Sequence, residues 1–172
     1  MPDSAGNNGP TWTHLLWAAG GVLAGAWLVK NETEEAKKSR AEVDDPDLVE
    51  EVCESMGDVL DGWEPDPECE SENDFTEDLA AYLEEETDWD IEVCPDTPHG
   101  QPDILIQDVL ALELKVDPNK SERDRCVGQS AGYSREWVTW IVLIDADASK
   151  VGMLEELLAD KGLERLLVWN FA

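Results

Sequence analysis

Basic residues are scarce in this sequence, and so are two of the aromatic residue types. The 172 residues contain 12 Lys plus Arg against 41 Asp plus Glu, which gives a formal net charge of -29. Phe and Tyr occur only twice each. A polyanion of this strength repels phosphate, which at first argues against a nucleic-acid-binding protein. The hydrophobic content of 42% is too high for a fully disordered chain.

The acidic residues are spread through the chain rather than gathered in a tail. They run from Glu32 to Glu164 and alternate with apolar residues, so most are expected on solvated faces of folded elements. A carboxylate-rich surface with little lysine is typical of proteins from salt-in halophiles, where it maintains solubility at molar salt. The alternative is an ordinary acidic protein that avoids nucleic acid. Unfolding on removal of salt would distinguish the two.

The four cysteines form no motif. Cys53, Cys69, Cys94 and Cys126 include no C-x-x-C pair and have no His cluster nearby. A zinc site therefore has little support, and the simplest interpretation is four reduced thiols.

The amino-terminal region contains one long apolar segment. Residues 1–11 are small and polar and are predicted to form a disordered arm. Residues 12–29 are apolar apart from Thr13 and His14 and would span ~27 Å as a helix, close to the thickness of a hydrocarbon core. We therefore predict a transmembrane helix over 12–29. A signal peptide and a buried core helix are the alternatives.

The flanking charges predict an orientation for this helix. No Lys or Arg precedes it, whereas Lys30, Lys37, Lys38 and Arg40 follow it. By the positive-inside rule, the protein is predicted to be a single-pass protein of the cell membrane with its carboxyl-terminal domain in the cytoplasm. Gly21 and Gly25 form a G-x-x-x-G pair through which two such helices could self-associate.

Residues 30–70 are predicted to form a charged helical stalk and linker. Within them, residues 46–62 carry Leu48, Val52 and Met56 at helical spacing, which favours a packing helix. The alternative for this stretch is a surface that binds an unknown protein partner. Two prolines in 64–68 indicate a linker, so the folded domain is predicted to span 71–172.

The predicted domain alternates between helical and strand patterns. Alternation of this kind predicts an α/β fold with a mixed central sheet. The predicted order is a helix from Asp74, strands over 90–93, 103–107 and 109–116, a helix over 122–136, a strand over 138–144, a helix over 151–161 and a strand over 165–171. The second and third strands are close enough to form a hairpin around Gln107 and Asp108.

The strand over 109–116 carries a carboxylate and an ammonium on one face. Side chains alternate across a strand, so Glu113 and Lys115 project side by side from an otherwise apolar element. The hairpin brings Asp103 towards Glu113. Two carboxylates can hold Mg²⁺, while Lys115 orients or activates a water and stabilises charge on a phosphate. The alternative is an ordinary ion pair at a strand end.

Residues beyond this strand resemble a known family. Pro102-Asp103, a ten-residue step and Glu113-Leu114-Lys115 are similar to the signature of the PD-(D/E)XK nuclease superfamily. Gln129 and Tyr133 resemble the Q-x-x-x-Y pattern of several of its branches. Glu72 matches an acidic residue that many members place on the first helix, with Glu77 as the alternative. The resemblance covers about 72–145.

The resemblance implies a restriction-endonuclease-like αβββαβ core and a nuclease activity. It implies catalytic roles for Asp103, Glu113, Lys115 and Gln129, and a metal site formed by Asp103, Glu113 and Glu72. The implied cofactor is Mg²⁺, with Mn²⁺ as a substitute, and the implied substrate is DNA, with RNA as the alternative. Combined with the predicted anchor, these features predict a membrane-anchored nuclease. A catalytically inactive, membrane-tethered scaffold or nucleic-acid-binding module of the same fold is the competing hypothesis.

A local excess of basic residues follows the same strand. Residues 115–135 carry five basic and three acidic residues in a chain that is otherwise strongly acidic. The nucleic-acid contacts predicted there are Lys120, Arg123, Arg125, Tyr133 and Arg135. A helix with scattered ion pairs would show the same composition.

Overall fold

The computed structural model describes residues 46–163 and 166–171. In chain order these residues form α1 (Pro46–Gly62), α2 (Glu72–Glu86), β1 (Ile91–Val93), β2 (Ile104–Ile106), β3 (Leu110–Val116), α3 (Lys120–Tyr133), β4 (Val138–Ile144), α4 (Ala148–Asp160) and β5 (Leu167–Phe171). The five strands form one sheet in the order β1-β2-β3-β4-β5. The first three strands pair antiparallel, and β3, β4 and β5 pair parallel. The predicted α/β class, mixed sheet and element order are confirmed.

A tight hairpin joins β2 to β3, as predicted. Gln107 and Asp108 both have positive φ, of 52° and 53°, as two-residue turns that follow the twist of the strands require. Ile104 pairs with Leu112 in the antiparallel register. Extending this register by one residue places Asp103 opposite Glu113. The turn therefore determines which carboxylates meet.

The sheet separates two apolar layers. On one face, Leu110, Leu112 and Leu114 of β3 pack with side chains of α1 and α2. On the other face, Ile141 and Leu143 of β4 pack against α3 and α4. Because the register places Glu113 beside Ile141 and Lys115 beside Leu143, the polar side chains of β3 face the α3 layer. Helices cover β3 on both faces, so its charged side chains are buried.

Helix α1 belongs to the same core as the sheet. Its residues Val52, Met56 and Leu60 are fully buried and share one apolar cluster with β3 and α2. The packing interpretation of residues 46–62 is therefore confirmed. The predicted boundary near residue 71 does not separate two cores, because the apolar side of α1 is covered by the domain itself. The partner-binding alternative would have to use another face of α1.

The membrane prediction falls outside the described part of the chain. The disordered arm predicted over 1–11, the transmembrane helix predicted over 12–29 and the first part of the stalk all precede residue 46. Within residues 46–163 and 166–171, none of the helices has the length and apolar character needed to cross a bilayer.

Candidate active site

The polar pair on β3 lies in the interior. The residue exposure of Glu113 is 0%, and that of Lys115 is 2%. Buried charges are costly unless they are paired, so both side chains need compensating partners. The partners come from three different elements, which the fold brings to the carboxyl end of β3.

The ammonium of Lys115 lies among three carboxylates. Its Nζ is 2.8 Å from Glu72 Oε1, 2.9 Å from Glu113 Oε1 and 3.9 Å from Asp103 Oδ2. The same nitrogen also donates a hydrogen bond to the carbonyl of Leu114. The predicted juxtaposition of Asp103, Glu113 and Lys115 is thus present in the structure.

Asp103 is fixed by three hydrogen bonds just before β2 begins. Its backbone N–H donates to the Leu112 carbonyl at 3.1 Å, and its carbonyl accepts from the Cys94 N–H at 3.0 Å. Its Oδ2 accepts from the Leu114 N–H at 2.6 Å. The Asp103 side chain therefore accepts a hydrogen bond from a backbone N–H of β3 that lies beyond the residues paired with β2. This hydrogen bond holds the Asp103 carboxylate next to β3, the strand that carries Glu113.

Glu72 reaches the site from the start of α2. Ser71 caps this helix in a capping box with Asp74, which sets the first helical residue at Glu72. The alternative candidate, Glu77, accepts a hydrogen bond from Asn73 one turn along the helix. Of these two glutamates, Glu72 is the one whose carboxylate contacts the Lys115 ammonium.

Burial and charge shift the protonation of the central groups. The pKa of Glu113 is raised to about 7, first by burial and then by the negative charge of Asp103, although the positive charge of Lys115 lowers it. Burial also raises the pKa of Asp103, against the opposing effects of Lys115 and the Leu114 N–H. For Lys115, burial lowers the pKa, but the attraction of Glu113 and Asp103 outweighs it and raises the pKa overall. Lys115 is therefore a cation at neutral pH.

One carboxylate at this centre accepts no hydrogen bond of ordinary geometry from the described residues. Both oxygens of Glu113 are buried, Oε1 lies 2.9 Å from the Lys115 ammonium, and the Tyr133 hydroxyl is close enough to the carboxylate for its own pKa to be raised by it. Buried polar atoms normally have hydrogen-bond partners, so this carboxylate is suited to a cation. The carboxylates of Asp103 and Glu113 both lie near the Lys115 ammonium, so the two can bind one ion together. Since Mg²⁺ is commonly bound through one or two carboxylates and keeps several waters, this pair fits the ion.

A metal site with three side-chain ligands is not formed. Within the part of the chain that the structure describes, no three His, Cys, Asp or Glu side chains are arranged to hold a metal ion. Glu72, predicted as the third ligand, binds the Lys115 ammonium instead. The role of Glu72 as a third ligand stays a prediction, and Asp103 and Glu113 are the two carboxylates that lie together on β3 and its neighbouring strand end.

Gln129 and Tyr133 lie on one face of α3 beside the carboxylates. Gln129 Nε2 is 3.4 Å from the Tyr133 hydroxyl, and Gln129 Oε1 is buried without a partner among the described residues. The pKa of Tyr133 is raised to about 12, first by burial and then by the charge of Glu113. Tyr133 is 1% exposed and its hydroxyl donates to the Gln101 carbonyl at 2.8 Å. The side chain is therefore buried and bonded internally, and its role as a nucleic-acid contact stays a prediction that nothing in this structure supports.

The predicted basic contacts separate into exposed and buried residues. Arg125 is exposed and near enough to Asp103 for its charge to lower the pKa of that carboxyl, and Arg135 is exposed near the end of α3. Lys120 is exposed but forms an ion pair with Asp124 at 2.9 Å. Arg123 is only 7% exposed and donates to the Pro118 carbonyl at 2.7 Å. The phosphate contact of Arg123 stays a prediction, and in this structure its guanidinium is engaged by the Pro118 carbonyl.

Two thiols near the site were not predicted to be there. The pKa of Cys126 is raised to about 12 by burial and then by Glu113, which places this thiol beside the carboxylates. Burial, Asp103 and Glu113 also raise the pKa of Cys94. Cys126 lies one turn before Gln129 on the same helix, which is a signal that the sequence contained. Cys94 precedes Asp103 by nine residues, and only the fold brings it close.

Comparisons with protein-family models, with curated proteins and with solved structures gave no match. The function must therefore be inferred from the geometry of this site and from the resemblance of its residues to the nuclease signature.

Proposed function

We propose that this protein is a metal-dependent nuclease that hydrolyses phosphodiester bonds in DNA, with RNA as the alternative substrate. The observation that carries the proposal is the arrangement of Asp103 and Glu113 around the Lys115 ammonium, where the buried Glu113 carboxylate accepts no hydrogen bond of ordinary geometry from the described residues. The proposal includes the anchor predicted over 12–29, which would hold the active domain at the cytoplasmic face of the cell membrane.

Asp103 and Glu113 are the residues that would hold Mg²⁺ or Mn²⁺. Bound there, the ion would supply Lewis acidity at the scissile phosphate. Both carboxylates must be ionised to bind a cation, and the positive charge of Lys115 favours that state. The hydrogen bond from the Leu114 N–H holds the Asp103 carboxylate in place next to the Glu113 carboxylate, which β3 carries.

Lys115 would stabilise charge rather than remove a proton. Its raised pKa keeps it an ammonium at neutral pH, so it can donate hydrogen bonds but cannot act as a base. In hydrolysis, a water oxygen bonds to phosphorus while the bond from phosphorus to the leaving oxygen breaks, the attacking water loses a proton to solvent and the leaving oxygen takes one from solvent. Negative charge accumulates on the phosphate oxygens. An ammonium in a buried site is well suited to stabilise this charge.

Glu72 would have to release Lys115 before a phosphate could reach it. The Glu72 side chain is 36% exposed, so it can turn into solvent without opening the core. Arg125 is exposed near Asp103 and is the basic residue best placed to contact a neighbouring phosphate. Gln129, with its unpartnered oxygen, adds a polar group on the same side of α3.

Cleavage by the purified full-length chain tests the proposal. In detergent, molar KCl and Mg²⁺, the chain should nick DNA, and a chelator should stop the reaction. Glu113→Gln and Lys115→Met should abolish cleavage, whereas Glu155→Gln, a change at an exposed carboxylate of α4, should leave it intact. Equal cleavage by parent and Glu113→Gln protein would show that the activity is a contaminant.

The second candidate is a non-catalytic module of the same fold, either a membrane-tethered scaffold or a nucleic-acid-binding protein. It is favoured by the Lys115 ammonium, which is engaged by Glu72, Glu113 and the Leu114 carbonyl of the protein itself. A binding module would retain DNA in gel-shift experiments with a chelator present and would do so equally in the Glu113→Gln variant. A nuclease would show metal-dependent turnover that this variant lacks.

A further inference from the structure

The segment between β1 and β2 forms a compact turn that leads directly into the site. It runs over residues 94–102 and ends immediately before Asp103. Thr97 and Gly100 pair as a small bridge, with N···O distances of 3.1 and 3.2 Å. The Gln101 side chain returns to the Cys94 carbonyl at 2.8 Å. The turn is therefore a structured unit, and we call it the Asp103 loop.

The Asp103 loop is packed against the end of α3. The Tyr133 hydroxyl donates to the Gln101 carbonyl at 2.8 Å. Gly100 has φ +117°, and a Cβ atom there would lie 3.0 Å from the Tyr133 ring. Gly132 leaves room for the His99 carbonyl, which a Cβ atom would meet at 3.0 Å. A side chain at either glycine would crowd the contact between the loop and α3, and Gly100 also has a backbone conformation that favours glycine.

A further polar contact holds the same loop from its outer side. His99 Nε2 is 2.9 Å from Glu136 Oε2, just beyond the end of α3. The His99 ring also meets the Trp137 ring edge-on, with centroids 6.1 Å apart. His99 and Glu136 are partly exposed, whereas the Tyr133 side chain that bonds to the Gln101 carbonyl is buried.

We infer that Tyr133 is a positioning residue: its hydroxyl holds the Gln101 carbonyl and thereby fixes the Asp103 carboxylate opposite Glu113. This role deepens the proposed function and rests on it for its catalytic significance.

The chain between the two groups is short and stiff. Gln101 precedes Asp103 by two residues, and the residue between them is Pro102, whose ring fixes φ. Pro102 has no N–H to donate, so it cannot tie this part of the loop to a neighbour by a backbone donor. Movement of the Gln101 carbonyl is consequently transmitted to Asp103 and to its bond with the Leu114 N–H.

Amide exchange at Leu114 reports this positioning without metal, DNA or activity. In the full-length chain, Tyr133→Phe keeps the ring and removes one hydroxyl. The Leu114 amide should then exchange roughly 5-fold faster, since a hydrogen bond contributes about 1 kcal/mol. The amide of Val142 in β4 should be unaffected. Tyr82→Phe, the same chemical change on α2, is the matched control and should leave both amides as in the parent.

A second readout connects the loop to the proposed site. Outer contacts of metal ligands typically change metal affinity by 10-fold or more. Because the Tyr133 hydroxyl also lies near Glu113, the variant used here is Gly100→Ala, which disturbs the loop and keeps that hydroxyl, and it should weaken Mn²⁺ binding roughly 10-fold. If the chain binds no metal but Leu114 exchange still accelerates selectively, the positioning role stands and the proposed function fails. Unchanged Leu114 exchange in a folded Tyr133→Phe protein would overturn the inference.

A variant on the loop side tests the same contact. Gly100→Ala places a methyl group against the Tyr133 ring and should also accelerate exchange at Leu114 more than at Val142. This variant decides the outcome if Tyr133→Phe fails to fold. Equal acceleration at both amides would mean general destabilisation and would count against a positioning role.

Discussion

The Lys115 ammonium lies 2.9 Å from the Glu113 carboxylate in the interior of the protein, and the two residues are two positions apart on the same face of β3. Neither side chain could be buried alone at an acceptable free energy. Asp103 and Glu72 add two further carboxylates to the same nitrogen. A surplus of buried or half-buried negative charge is what distinguishes this site from an ordinary structural ion pair.

Removal of the central cation should be strongly destabilising. Lys115→Met leaves Glu113 buried without its counter-charge, and we expect a loss of about 3–5 kcal/mol in the free energy of unfolding. Urea unfolding at molar KCl would measure it. Lys120→Met is the control, because Lys120 pairs with Asp124 at the surface and should contribute no more than about 1 kcal/mol. Equal losses in the two variants would contradict the buried pairing.

Stability without metal should depend on pH through Glu113. Its pKa is raised from 4.5 to about 7, so the folded state holds this proton more tightly than the unfolded state. The resulting stabilisation is complete below pH 4.5 and is lost as pH rises through 7, by no more than about 3 kcal/mol. Glu113→Gln should flatten the profile between pH 5 and 8. An unchanged profile would show that another group titrates.

Metal affinity should show the opposite dependence on pH. A cation at Glu113 competes with the proton, so Mn²⁺ binding should weaken roughly 10-fold for each unit below pH 7 and level off above it. Calorimetry at pH 6, 7 and 8 would measure the change. The competition involves one proton, and a pH-independent affinity would place the ion elsewhere.

The two arginines of α3 should behave differently. Arg125 is exposed near Asp103, whereas Arg123 is buried against the Pro118 carbonyl. Arg125→Ala should weaken DNA binding or cleavage several-fold and leave the melting temperature unchanged. Arg123→Ala should lower the melting temperature and spare the activity of the protein that remains folded. The reversed pattern would mean that α3 presents a different face to the nucleic acid.

Low salt should unfold the protein. A net charge of -29 produces self-repulsion that molar salt screens. Dialysis of the full-length chain into dilute buffer should abolish the far-ultraviolet circular dichroism of the native state, and KCl should restore it. Retention of the native spectrum in dilute buffer would identify an ordinary acidic protein.

Sequence patterns predicted the strands of this domain well because each pattern was local. Period-two alternation identified β3, and the hairpin at Gln107 and Asp108 followed from the short gap between β2 and β3. Asp103 could be paired with Glu113 because a tight turn fixes the register. The apolar spacing of α1 predicted a packing helix, but not that it packs into the core of the domain beyond residue 71, since this depends on packing across the proline-containing segment that follows α1.

The side-chain contacts that the sequence did not predict all depend on orientation. Arg123 and Arg125 are two residues apart, and only the docking of α3 on the sheet decides which one is buried. Tyr133 was placed correctly on the face of Gln129, but its contact with the Asp103 loop joins segments 32 residues apart. Glu72 was expected to bind metal, yet its position on Lys115 follows from the distance between the start of α2 and the end of β3.

Calorimetric titration of the full-length chain with Mn²⁺ at molar KCl and pH 8 tests the central claim most directly. We predict one site, lost in Asp103→Asn and in Glu113→Gln and retained in Glu155→Gln. Absence of binding, or binding that persists in both site variants, would contradict a catalytic metal site at Asp103 and Glu113.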